Sequence, residues 1–286
     1  MLEMLINPRK AERSPWELFF VGLFYGILSV ILVNWIFASD PVLSKYSGIL
    51  IVTFTVMFSL PFVYFTIKLE ESKITKDSDN ISLLSEHRHA LLVFLWLFLG
   101  YVVAFSLWHV FLPSSTSFQA QIETYCLINQ KSNFENCVSQ HALQLSKTPT
   151  GAVGADMERF FAIFSNNMSV LIFTLIFSLI FGAGAIFILA WNASVIATAI
   201  GIFSKSSLSA MPFGIARYMI HGLPEIASYF IVALAGGIVS VAVIKHEAGT
   251  EKFWDVLQDA LNLTILAVVI LVVAAGIEVF VTPVLF

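Results

Sequence analysis

The sequence predicts an all-α fold: a polytopic integral membrane helical bundle of about six transmembrane helices plus a re-entrant or interfacial helical element. Two observations carry this. Hydrophobic residues make up 58% of the 286 and charged residues only 12%, a balance outside the range of soluble globular domains. Several runs also reach the roughly 20 apolar residues that a helix needs to cross the hydrocarbon core.

The first run, near 16–38, follows the charges of MLEMLINPRKAER and continues without an A-x-A-like cleavage site, so it reads as an anchoring helix rather than a signal peptide. Further spans are expected near 47–68, 89–112, 168–191 and 258–282. A sixth is expected at 218–244, between Arg217 and Lys245, with Glu225 its only charge. Pro224 lies close to its start, where a missing N–H is tolerated. Between the fourth and fifth spans, residues 192–216 are apolar for a dozen residues and then rich in Ser, Pro and Gly. A dozen is too few to cross, so this stretch is expected to be re-entrant or interfacial, with its backbone buried in protein or lining a cavity.

Three parts follow: an N-terminal membrane part at 1–112, a polar extracytoplasmic insert at 113–158, and a C-terminal membrane part at 159–286. With the N-terminus inside, nine Lys and Arg fall on cytoplasmic segments and six outside. The inside set is Arg9, Lys10, Arg13, Lys68, Lys73, Lys76, Arg88, Lys205 and Arg217; the outside set is Lys45, Lys131, Lys147, Arg159, Lys245 and Lys252. The bias predicts a multi-pass cell-membrane protein with both termini cytoplasmic. No basic run interleaved with aromatics is present, so a nucleic-acid partner is not expected.

The insert holds both cysteines of the chain, Cys126 and Cys137. An exported loop favours a disulfide, worth about 3 kcal/mol in the chain-entropy model; two free thiols are the alternative. The insert is the natural surface for extracytoplasmic or membrane protein partners. After it, Phe160, Phe161 and Phe164 share a helical face, which suits a short interfacial helix with Asn166 and Asn167 capping the span that follows; an early start to that span is the plainer alternative.

A charge inside the bilayer costs roughly 2.5–3.5 kcal/mol on insertion scales, so the polar residues of the C-terminal part need a reason. His221 and Glu225 stand four apart on one helical face, and Glu278 interrupts the last span. Antiparallel packing of the last two spans brings the two acids to similar depth. Asn192 and Asn167 are expected to join them, giving a cluster of His221, Glu225, Glu278, Asn192 and Asn167 in the cytoplasmic leaflet. Small residues at Gly222, Gly236, Gly237 and Gly276 would let helices approach, within one chain or between two copies of a homo-oligomer.

Three uses of the cluster stay open: a hydrogen-bonded network that fixes helix register, a proton or ion site of a transporter or channel, and a divalent metal site such as zinc at His221, Glu225 and Glu278. The last would serve an intramembrane hydrolase, but H-x-x-x-E lacks the second histidine of H-E-x-x-H. No cofactor and no catalytic residue is expected. His87 and His89 read as solvated loop residues and His109 as an interfacial anchor, while Trp16, Trp35, Trp108 and Trp191 fall near span boundaries as an aromatic belt.

The run FAIFSNN at 161–167, the glycine-bearing span ending at Asn192, the HGxxE of His221, Gly222 and Glu225, the Gly236–Gly237 pair, and Glu278 ahead of Thr282 and Pro283 resemble the stage II sporulation protein M family, most strongly over residues 157–286. The resemblance implies a multi-spanning membrane protein that is not a recognised enzyme. In spore formers the family's namesake scaffolds a membrane complex with peptidoglycan-degrading partners, and many relatives occur in organisms that make no spores. A membrane scaffold or partner-recruiting protein is therefore the expected function.

Overall fold

The computed structural model describes residues 11, 13–37, 39–72, 83–111, 116–129, 134–142, 156–204, 209–245 and 249–285. Arg9, Lys10, Lys73, Lys76, Lys131, Lys147 and Lys205, used in the charge count, lie outside them, as do residues 113–115, 130–133 and 143–155 of the insert. The described residues form α1 (Glu17–Phe37), α2 (Ser47–Glu71), α3 (Leu83–Phe111), α4 (Gln119–Asn129), α5 (Phe134–Ala142), α6 (Asp156–Phe181), α7 (Ile186–Ser204), α8 (Met211–Ile244), α9 (Glu251–Gly276) and α10 (Thr282–Leu285), with a π-helical turn at Ile277–Val281 joining the last two. Seven of these stretches are long and apolar enough to cross a membrane.

The seventh is the stretch expected to be re-entrant. Residues 168–191 are not one span: α6 ends at Phe181, Gly182 takes a left-handed φ of 59°, and α7 starts anew and runs to Ser204. Only glycine adopts that φ without strain, so the break falls there. Asn166 and Asn167 are not caps, because α6 is continuous from Asp156 and the early-start alternative holds. Their amides are satisfied by side chains, Asn166 Nδ2 donating to Asn167 Oδ1 at 3.1 Å, so they do not compete with the helix backbone.

Helix directions follow from the contacts. A Cβ on Gly22 would meet the Leu97 carbonyl, one on Gly100 the Phe19 carbonyl, and one on Gly26 the Ala104 Cβ, so α1 and α3 run parallel at very close approach. The antiparallel α2 lies against them, with Ser59 hydrogen-bonded to Tyr101 and Glu70 to His87. Gly214 of α8 faces Ile200, Phe203 and Ser204 of α7, which sets those two antiparallel. His221 meets Thr282, while Lys245 and Lys252 meet Glu71, so α9 returns along α8.

One end of the bundle carries the insert. Ser117 donates to Asn34 at 2.8 Å, and Gln121 Nε2 donates to the Gly48 carbonyl at 3.0 Å and the Ser194 hydroxyl at 3.1 Å. Cys126 and Cys137 are disulfide-bonded with their Cα atoms 5.7 Å apart. Both are buried in a small core with Ile122, Tyr125 and Ala199, against which Ile202 and Tyr218 pack. The insert helices therefore sit on the C-terminal end of α7 and the N-terminal end of α8. Nearby, Asp40 accepts the N–H groups of Leu43 and Val42, which hold its carboxyl below the usual carboxylate range.

The other end is tied by buried charge. Glu70, Glu71 and His87 are all fully buried; Glu70 bonds His87 Nδ1 at 2.5 Å, and Glu71 takes the ammonium groups of Lys245 and, at 2.9 Å, Lys252. His87 is thus a buried residue, not a solvated one, because α3 starts earlier than expected and packs it against α2. Since α1 begins near this end and α9 climbs away from it, the start of the first and the end of the last membrane helix lie at opposite ends of the bundle. Among the described residues the additional long helix α7 brings the number of such helices to seven.

Gly236 and Gly237 do mediate packing. A Cβ on Gly236 would stand 2.7 Å from the Ser178 Cβ and 3.0 Å from the Leu175 carbonyl, and one on Gly237 would stand 2.8 Å from Ile67. Gly276 has nothing within 4 Å of its Cβ position and Gly222 only Met219 at 3.6 Å, so neither supports a close approach. Gly236→Leu is expected to lower stability by about 1–3 kcal/mol, since the clash is with backbone as well as side chain. Thermal unfolding in detergent, compared with Gly276→Leu as the neutral control, checks it.

Candidate site: a polar layer between α6, α8 and α9

The polar layer forms where three helices meet. Tyr229 donates its hydroxyl to Glu225 Oε1 at 2.9 Å and lies 3.5 Å from the Asn167 carbonyl. The Asn167 side chain also hydrogen-bonds the Glu225 carboxyl, joining α6 to α8. These residues meet because α6 and α8 run parallel in fixed register, and i, i+4 spacing stacks Glu225 and Tyr229 on one face. Ser228 turns back to the Glu225 carbonyl at 2.6 Å instead of reaching across.

From the π-helical turn and α10, which continue α9, the layer receives Glu278 and Thr282. Glu278 stands within electrostatic reach of Glu225, and Thr282 lies 3.2 Å from His221 Nδ1. The Thr282 hydroxyl donates to the Ile277 carbonyl at 3.2 Å, which leaves its oxygen to accept, so His221 donates through Nδ1 in the tautomer these partners imply. The π-helical turn has a local cause: Pro283 has no N–H to offer the carbonyl one turn back. Glu278 is carried on that turn.

Of the five residues expected to cluster, four converge here and one does not. Asn192, on α7, donates its amide to the Ile188 carbonyl of its own helix at 2.8 Å. Tyr229 and Thr282 take the place expected for it. Both were visible in the sequence, Tyr229 as the next polar residue of the His221–Glu225 stripe and Thr282 one turn from Glu278. His221 faces Thr282 rather than the carboxylates, and among the described residues no group of three His, Cys, Asp or Glu is placed to hold a metal ion. The trio proposed for zinc does not assemble as a ligand set.

The layer also lies nearer the insert than the leaflet expected for it. Tyr218, hydrogen-bonded to Tyr125 of α4, is one turn from His221, whereas Lys245 at the other end is more than five turns from Glu225. The pairing of Glu225 with Glu278 survives because α8 and α9 are antiparallel either way; α7 reverses the side. His109, expected as an interfacial anchor, is instead a packing residue, its Nε2 2.9 Å from the Thr198 hydroxyl and its ring centroid 4.7 Å from that of Phe118.

Comparison with known proteins bears on this arrangement directly. The family model described as Stage II sporulation protein M matches residues 10–283, which span all seven long helices. The chain belongs to the stage II sporulation protein M family. It is also 31% identical over 130 residues to an uncharacterized protein of Methanocaldococcus jannaschii, a match covering 43% of this chain and 70% of that one. No solved structure matches the chain at a significant level. Family membership thus extends over the N-terminal half, beyond the part from 157 onward that carries the motifs most plainly.

Proposed function

We propose that this stage II sporulation protein M family member is an integral membrane scaffold that recruits protein partners, without catalytic residues of its own. The observation that carries the reading is the mutual bonding of the polar layer. Tyr229 and Asn167 both bond Glu225, and His221 bonds Thr282, so these groups hold α6, α8 and α9 together. A buried polar network of this kind specifies helix register. The disulfide-held insert, seated on α7 and α8, supports a fixed surface for partners, with Glu135, Asn136 and Ser139 exposed on α5.

Orientation belongs to the same reading. Among the described residues Arg13, Lys68, Arg88, Lys245 and Lys252 lie toward the end away from the insert, and Lys45, Arg159 and Arg217 toward the insert end. The excess supports an orientation with the insert outside and the start of α1 inside. A photo-crosslinker at Glu135 or Ser139 in native membranes is expected to trap an extracytoplasmic or membrane protein partner, and labelling that reaches only lipid would count against recruitment through the insert.

A second reading, a proton or ion site in a transporter, is favoured by one observation: Glu278 stands within electrostatic reach of Glu225 on an irregular turn of the kind frequent at functional sites. The variants Glu225→Gln and Glu278→Gln separate the readings. Scaffolding predicts folding and partner capture retained in both, with at most about 1 kcal/mol lost where a charge-assisted hydrogen bond becomes a neutral one. Transport predicts normal folding and abolished flux.

A further inference from the structure

Of the seven long helices α6 is the least buried, and near its middle it exposes Ser165, Asn166 and Ser169. The next least buried behave differently. α1 exposes apolar side chains such as Phe24, Ile27 and Ile31, and α9, past Gln258, does the same with Leu261, Ile265 and Val269. Asn166 gives one N–H to Asn167 Oδ1, while its own Oδ1 and second N–H have no partner among the described residues. Lipid tails offer an amide or a hydroxyl nothing to bond, so such groups on a membrane helix point to another helix that covers them.

The exposed residues also form a seam. Ala162, Ser165, Ser169, Ile172, Ile176 and Leu179 follow one another at alternate steps of three and four residues, and all six are exposed. That is the heptad spacing of two helices packed side by side. The seam lies opposite the side on which Asn167, Leu171, Thr174 and Ser178 are buried in the bundle, the two sets centring roughly 160° apart at 100° per residue. A second copy of the chain suits it best. A two-fold axis along the membrane normal sets every residue at the depth of its own counterpart, so the groups along the seam must complement themselves. An amide, donor and acceptor at once, does so, and the small residues beside it let the backbones approach. One turn above Ala162 the charges do so too. Glu158 and Arg159 are exposed neighbours, so Glu158 of one copy stands within one residue's rise of Arg159 of the other. Arg159 also acts electrostatically on Glu278 of its own chain.

We propose that the exposed face of α6 is the interface of a parallel two-fold homodimer, packed along Ala162, Ser165, Ser169 and Ile172 with Asn166 hydrogen-bonding across it. The interface does not depend on whether the polar layer serves scaffolding or transport. The test is cysteine cross-linking of the full chain in native membranes, where Cys126 and Cys137 are already paired and leave an introduced thiol alone. Ser165→Cys, Ser169→Cys and Ile172→Cys are each expected to give a disulfide-linked dimer under mild oxidation, and Ile265→Cys, exposed on α9, little or none. Asn166→Leu is expected to weaken dimerisation about tenfold when the protein is diluted in lipid and counted by single-molecule photobleaching. Should Asn166→Leu fail to fold, the charges carry the test: Glu158→Arg alone is expected to weaken the dimer about twofold, and adding Arg159→Glu to restore it. No dimer at the seam positions, a dimer formed as readily through Ile265→Cys, or cross-links to other proteins alone overturn the interface. A folded Asn166→Leu that dimerises as wild type does overturns the role of the amide.

Discussion

Glu71→Ala is expected to destabilise the bundle by about 3 kcal/mol, the lower end of the range for removing one partner of a buried ion pair. Glu71 is fully buried and takes two ammonium groups, Lys245 from the end of α8 and Lys252 from the start of α9, so one carboxylate ties three helices. The loss stays at the low end because the lysine side chains are 32% and 37% exposed and regain water when the carboxylate goes. Glu71→Gln keeps the shape and is expected to cost less. Thermal unfolding in detergent against wild type reads both, and a neutral Glu71→Ala would show that the lysines never depended on it.

The second large effect concerns the other end. Cys126→Ser is expected to cost about 3 kcal/mol, the chain-entropy value for so short a closed loop. Both sulfurs are buried against Ile122, Tyr125 and Ala199, so the bond also holds α4 in place over α7 and α8. Burial in this same contact pushes the Tyr125 phenol above its ordinary range. The measurement is unfolding of wild type with and without reductant beside the serine variant. Reduced wild type and Cys126→Ser are expected to fall together, and an unchanged midpoint in both would mean that α4 is held by the Gln121 and Ser117 hydrogen bonds alone.

Helix content, the polar insert and the similar depth of Glu225 and Glu278 were legible because each rests on a local signal: apolar runs, a polar block, an i, i+4 stripe. The close packing of α1 on α3 has a sequence signal too, in the Gly22-x-x-x-Gly26 spacing. What escaped depended on one residue's backbone. An apolar run gives no sign of where it divides, and the left-handed Gly182 turned the expected span 168–191 and the expected re-entrant element into two membrane-length helices, α6 and α7. That division moved the polar layer to the insert end and set the start of the first helix and the end of the last at opposite ends. Asn192 failed for a related reason: without knowing the start of α7, its helical face could not be fixed. Glu70 and His87, far apart in type from any apolar pattern, met only through the pairing of α2 with α3, which sequence spacing alone does not reveal.

A polar layer that is a lock and not a path carries no ions across the membrane. Purified protein reconstituted in liposomes, with proton and monovalent-cation flux measured beside the Glu225→Gln, Glu278→Gln double variant, tests this. The prediction is flux no greater than in empty liposomes for both proteins, each folded and inserted. A flux in wild type that disappears in the double variant would contradict it and make the two carboxyls a transport site.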